Sequence, residues 1–208
     1  MFNNTWYITI LDLVKSISSA LKLVSPEIER HHNQVAYISY RLAETLGLTE
    51  DETIRITLAA ALHDIGAVSL EEKLDSLRFE TAHITRHAEL GFLLLDKFAP
   101  FKPLAKLVRY HHLAWNKGRG AAADNETVSG GSHIIHLADR AAVAIGDAGQ
   151  VLSRKKDIVG FINNHCGSVF HPEYVDAFLE LAQKDSFWFD CSLPSLDDVV
   201  HHILRLKT

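Results

Sequence analysis

A chain of 208 residues, 47% hydrophobic and 23% charged, can bury a core of its own and fits one domain with at most an appendage. Its formal charge of −5 and pI near 6.2 argue against a nucleic acid duplex as partner, because no basic surface is implied. Cys166 and Cys191 are too few for a disulfide scaffold and read as ordinary thiols of a reducing compartment, so the expected location is cytoplasmic.

In chain order, Ile8, Leu11, Val14, Ile17 and Leu21 recur at helical spacing and mark a first, amphipathic helix. With Asp12, Lys15 and Lys22 inside it, the stretch is expected to be neither a signal peptide nor a membrane span. Ser25-Pro26 restarts the chain as N-cap and first helical residue, and the second helix runs to Leu46, where Gly47 stops it. Thr49 to Glu52 form a capping box for a third helix that ends on His63-Asp64 before Gly66. Ser69 to Glu72 form another capping box for a short helix. Helices follow at about 84–98 and 103–111. Residues 113–131, rich in Gly and Ala, read as a long loop, and helices near 132–146, 154–165, 172–183 and 195–206 complete the chain. Strand signals are scarce. The expected fold is all-α: one compact helical bundle at 25–208, with the helix of 1–24 packed on it.

Thirteen histidines are scattered through this pattern, and their positions carry the chemistry. Glu27 and His31 stand four apart, so both project from one helix face about 6 Å apart. His63-Asp64 closes the apolar run Leu58 to Leu62, where a buried carboxylate needs compensation by cations. His87, the doublet His111-His112 and Asp139 follow. On a helix the doublet would diverge by about 100°, so its members could serve two separate ions at a helix end. Each residue alone has an ordinary structural explanation. Together they put imidazoles and carboxylates on five helices, a donor set suited to borderline and hard divalent ions such as Zn, Fe and Mn.

The series resembles the HD superfamily of metal-dependent phosphohydrolases, in particular its HD-GYP branch. The residues that carry the resemblance are His31 with Val35-Ala36, Leu62 to Gly66, His87 to Gly91, His111-His112, Ala138-Asp139 and, near the end, Phe170 to Glu173. It implies an all-α domain holding two or three divalent ions, iron or manganese. It further implies hydrolysis of cyclic di-GMP or a related nucleotide phosphodiester by a hydroxide that bridges the ions. By position, His31, His63, Asp64, His87, His111, His112 and Asp139 would be ligands. Asp64 would bridge two ions, His63-Asp64 would form the catalytic pair, and Glu27 would serve a third ion.

Two departures stand out against that pattern. Ala67 occupies a place where the family has lysine, and residues 113–120 offer no Gly-Tyr-Pro. Lys117 or Arg119 is expected to supply the missing positive charge, and Trp115 is a candidate for stacking on a base. Arg140 is a rival phosphate contact but reads more readily as half of a helix-surface ion pair, and His133 and His136 read as donors that orient ligands or as ordinary core or surface residues. Two other functions stay open: hydrolysis of a different nucleotide phosphate, and a metal-holding signalling module without turnover. The first helix offers a surface for a homodimer or a sensor partner.

Overall fold

The computed structural model describes residues 9–67, 84–146 and 151–192. The expected capping box at Ser69 to Glu72 with its short helix, the helix at 195–206, His83 and His201-His202 lie outside them. The described residues are helical apart from one two-residue hairpin and the connecting turns.

Helix α1 (Ile10–Val24) starts at Thr9, whose side chain and that of Asp12 cap each other's backbone reciprocally. Ser25 then caps α2 (Pro26–Thr45), with Pro26 in the first turn where its missing N–H leaves nothing unsatisfied. Gly47, at φ +67°, supplies the left-handed turn that ends α2, and a Thr49–Glu52 capping box opens α3 (Glu50–Ala61). Next come α4 (Ile84–Asp96), α5 (Lys102–Arg109), α6 (Gly130–Ile145), α7 (Val151–Asn164) and α8 (Pro172–Ala182). A short α9 (Asp185–Ser192) follows, where no helix is expected from the sequence. Its Trp188 is fully buried and donates Nε1–H to the Ala182 carbonyl, which docks α9 on the end of α8.

Two helices form the centre. Every residue of α2 from His31 to Tyr40 is buried, and so is every residue of α6 from Gly131 to Ala142. The two pack on each other, and α1, α3, α8 and α9 pack around α2. On α2 the polar residues of the buried stretch find partners. His32 reaches the Ala61 carbonyl at 3.1 Å, and Gln34 donates to the Cys191 carbonyl at 3.0 Å. Among the described residues no helix is long and apolar enough to cross a membrane.

The expected long loop is an ordered segment. After a turn at 116–121 comes a hairpin of β1 (Ala122–Ala123) and β2 (Glu126–Thr127), closed by Asp124 and Asn125 with φ of 52° and 62°. Two consecutive positive φ values make a type I′ turn, which suits the twist of a tight hairpin. Ion pairs fasten it to α5: Lys106 to Glu126 at 2.7 Å and Arg109 to Asp124 at 3.5 Å. Two-residue strands are too short to show any alternation, which is why the sequence pattern conceals them.

Gly66 is the tightest packing point. A Cβ there would lie 2.0 Å from the His87 carbonyl oxygen and 2.3 Å from the Gly91 nitrogen, both backbone atoms. Replacing Gly66 with Ala is therefore expected to lower unfolding free energy by about 2 kcal/mol or more. Gly160 lies inside α7 with nothing within 4 Å of its Cβ position, and Gly160→Ala is expected to raise stability by about 0.5–1 kcal/mol. Urea unfolding of the two variants checks both signs.

Candidate metal centre

Helix α3 stops at Ala61, and the turn at 62–66 carries His63 and Asp64, both buried. The close approach at Gly66 presses this turn on the first turns of α4, which puts His87 Nε2 3.0 Å from Asp64 Oδ1. Helix α5 ends at Arg109, and the turn after it brings His111 Nε2 to 3.7 Å from the same oxygen. His112 Nε2 lies 2.9 Å from His87 Nε2. Asp64, His87, His111 and His112 thus each offer a donor atom within 4.8 Å of the others.

A second group meets the same limit: His31 from α2, His63, and Asp139 from α6. Asp139 Oδ1 stands 3.3 Å from His31 Nε2 and 4.0 Å from His63 Nε2. Asp64 faces both groups, since its Oδ2 is 3.4 Å from His63 Nε2 while its Oδ1 faces His87 and His111.

The donors are aimed by the backbone. His63 Nδ1 donates to the Ala60 carbonyl at 2.8 Å and His111 Nδ1 to the Val108 carbonyl at 2.6 Å, each three residues back at a helix end. Each ring's Nε2 is left to face the carboxylates, which is how imidazole ligands are held in one tautomer and orientation. Asp139 gives its Oδ2 to Arg140, at 2.6 and 3.1 Å, and turns Oδ1 to the imidazoles.

Burial and charge pull these groups in opposite directions. Burial favours a neutral His63, but Asp64 and then Asp139 outweigh it and push its imidazole up to about 9. Burial likewise favours a protonated Asp64, yet His63 and His87 hold its carboxyl well below the usual range. Arg140, ahead of His31 and His63, does the same for Asp139 against its burial. Burial and the charge on His63 push His111 down to about 3, and burial with His111 pushes His112 down. The centre thus sets two buried carboxylates, held in their charged form, beside the His111 and His112 rings, held in their neutral form.

Five of the buried donor atoms have no hydrogen-bond partner: Nε2 of His31, His63 and His111, and Oδ1 of Asp64 and Asp139. An unmet buried polar atom costs about 1–3 kcal/mol. These five atoms, all imidazole nitrogens or carboxylate oxygens and divided between the two groups, fit divalent ions in chemistry and in the spacing within each group.

Several expectations change. His111 and His112 are not spread over two faces of a helix. They sit in a turn past the end of α5, ring centroids 3.9 Å apart, and both enter the Asp64 group. Arg140 is no surface residue: it is buried, and its partner is Asp139 itself. His133 and His136 contact backbone carbonyls of the 113–120 segment, those of Gly120 and Leu113. Glu27 is exposed and outside both groups, on the rim of a cavity of about 240 Å³ that His31 and Arg30 also line. Lys117 and Arg119 are exposed, with no ion pair among the described residues. The Trp115 ring packs on His171 at 4.1 Å and edge-on to His133 at 5.4 Å, which makes it an anchor of its segment. His32, which its sequence position places beside a candidate ligand but on a different helix face with no special role, is buried with its ring 4.9 Å from that of His63.

A helical bundle whose interhelical turns converge on grouped imidazoles and carboxylates defines a class: an all-α domain built around a candidate metal centre. The chain belongs to the HD domain family, which it matches over residues 28–144. It is 23% identical over 97% of its length to a 3'3'-cGAMP-specific phosphodiesterase 1 of Vibrio cholerae, covering 48% of that protein. It is 28% identical over 76% of its length to a cyclic di-GMP phosphodiesterase of Thermotoga maritima, covering 45% of that protein. The chain therefore spans about half the length of these curated relatives.

Metal is expected to stabilise the fold measurably. At one hundred times its dissociation constant, a single bound ion adds about 2.7 kcal/mol to unfolding. Urea unfolding in Mn²⁺ against EDTA should show at least that gain in the wild-type chain and most of it lost in His63→Ala.

Proposed function

We propose that the chain is a metal-dependent phosphodiesterase of cyclic dinucleotides. The observation that carries this reading is Asp64 standing between two groups of imidazole and carboxylate donors, five of whose atoms are buried and unpartnered, so that one carboxylate could serve two neighbouring ions. The ligands on this reading are His31, His63, Asp64, His87, His111, His112 and Asp139. The relatives named as phosphodiesterases of 3'3'-cGAMP and cyclic di-GMP supply the substrate class. Imidazole with carboxylate donors suits iron or manganese. A pair of such ions held by these residues would supply a lowered pKa for water and compensation of the charge on a phosphate.

The chain's own residues do the rest. Asp64 and Asp139 keep their charge despite burial, and Arg140 fixes which oxygen of Asp139 faces the centre. Ala67 is buried and brings no charge to the site, so the phosphate contact falls to Lys117 and Arg119 on the neighbouring segment. Glu27 is placed to add a carboxylate beside His31, for a third ion at the cavity they share.

The test uses protein prepared without oxygen, loaded with Fe²⁺ or Mn²⁺, and given cyclic di-GMP and 3'3'-cGAMP. Linear dinucleotide or mononucleotide should appear on chromatography, stop on chelation and return when metal is restored. Asp64→Asn is expected to lower kcat by more than about a hundredfold. Two ions bound per chain with neither dinucleotide turned over would defeat the reading. For Glu27, metal counting decides: Glu27→Ala should lose one ion and keep two.

A further inference from the structure

One face of α6 carries His133, His136 and Asp139 at intervals of three, and each meets a successive part of the chain that runs from the histidine doublet to the hairpin. Asp139 Oδ2 lies 3.9 Å from His112 Nδ1. His136 Nδ1 lies 3.3 Å from the Leu113 carbonyl, and His133 Nε2 lies 3.0 Å from the Gly120 carbonyl. A carbonyl oxygen only accepts, so His136 donates as the Nδ1–H tautomer and His133 as the Nε2–H tautomer. Residues 113–120 are thus tied at both ends to the helix that holds Asp139.

A second set of contacts closes over the same residues. The amides of Trp115, Asn116 and Lys117 donate to the carbonyls of Val169, Ser168 and Gly167 at 2.9, 2.8 and 2.8 Å. Inside this clamp Asn116 and Lys117 hold φ of 46° and 55°, a conformation that side-chain-bearing residues keep only when their surroundings impose it. Gly120 lies so close to Ala114 that a Cβ would stand 2.1 Å from its carbonyl oxygen.

We propose that His133 and His136 are positioning residues. They hold the 113–120 segment on α6, His136 thereby setting His112 in its donor group and His133 setting where Lys117 and Arg119 meet a phosphate. Only the second effect rests on the phosphodiesterase reading; the first concerns the donors alone.

The experiment compares His133→Ala and His136→Ala with His133→Gln and His136→Asn in the full chain. The glutamine and asparagine amides carry an N–H where the ring N–H stood. Three quantities are read: Mn²⁺ affinity by calorimetry with the metal alone, amide exchange across 113–121 by mass spectrometry, and KM and kcat on a cyclic dinucleotide. His136→Ala should weaken Mn²⁺ binding about tenfold. His133→Ala should speed exchange across the segment and raise KM about tenfold with kcat within about twofold, its Mn²⁺ affinity unchanged. Both amide variants should restore the wild-type values. Gly120→Ala displaces the segment from its own side without altering α6, and should reproduce the faster exchange and raised KM even where an alanine variant fails to fold. Wild-type exchange and Mn²⁺ affinity in the alanine variants, amide variants as impaired as alanine, or a silent Gly120→Ala would each overturn the proposal. If no dinucleotide is hydrolysed, the phosphodiesterase reading falls, and exchange with Mn²⁺ affinity still decides the clamp.

Discussion

Asp64 and Asp139 are charged carboxylates with about 1% of their surface exposed, and the architecture around them follows from that. A lone buried carboxylate would take up a proton or pull the fold apart, since removing the charge from water costs several kcal/mol after relaxation. Here each has cationic or polarisable neighbours from other parts of the chain: Asp64 has His63, His87 and His111, and Asp139 has Arg140, His31 and His63. Those neighbours come from α2, the turns after α3 and α5, α4 and α6, so satisfying two acids requires nearly the whole bundle to be assembled. The five donors left unpartnered show that the protein's own groups do not finish the compensation. A stretch this polar at the centre of a core is poor packing for stability alone and sensible packing for an ion site.

How much of this was legible depends on what each residue type announces locally. Pro26 after Ser25, Gly47, and the Thr49–Glu52 box announce helix ends through backbone chemistry, and those boundaries fall close to where the structure has them. The donor residues could be picked out because a carboxylate after Leu58 to Leu62, or within Ile134 to Ile145, conflicts with its apolar surroundings. Arg140 was misjudged because nothing in a sequence distinguishes a charge turned to solvent from one turned to the adjacent carboxylate. Its burial depends on how the helices pack around α6, a long-range fact. The doublet was misjudged for a different reason. The 100° argument holds only on a helix, and α5 ends at Arg109, short of the doublet. The hairpin at 122–127 and α9 are both built from elements too short for periodicity to register.

Backbone proximity matters as much as side-chain type. Gly66 and Gly91 let the turn bearing His63-Asp64 lie directly on α4, and the His87 carbonyl occupies the space that a Cβ at 66 would need. That contact sets the distance between Asp64 and His87, two members of one donor group. The glycines therefore take part in the geometry of the centre although neither carries a functional atom. Val108, whose side chain faces Gly91, also gives its carbonyl to His111, so the same packing layer locates two imidazoles.

His63 and His111, unlike His112, are held by different means from the neighbouring segment, and this separation bears on how one could change without the other. His63 and His111 are oriented by carbonyls at helix ends, Ala60 and Val108, inside elements that the bundle makes rigid. Residues 113–121 are attached separately, by His133, His136 and the 167–169 carbonyls, and the exposed side chains of Asn116, Lys117 and Arg119 have few obligations to the core. Substitution at Lys117 or Arg119 therefore disturbs neither donor group, whereas substitution at Ala60, buried beneath His63, would disturb both through His63 and its neighbour Asp64. On the phosphodiesterase reading, selectivity among cyclic dinucleotides can drift on the segment while the ions stay where they are. On the same reading, Lys117 or Arg119 would bring to the attached segment the positive charge that Ala67 does not bring to the turn.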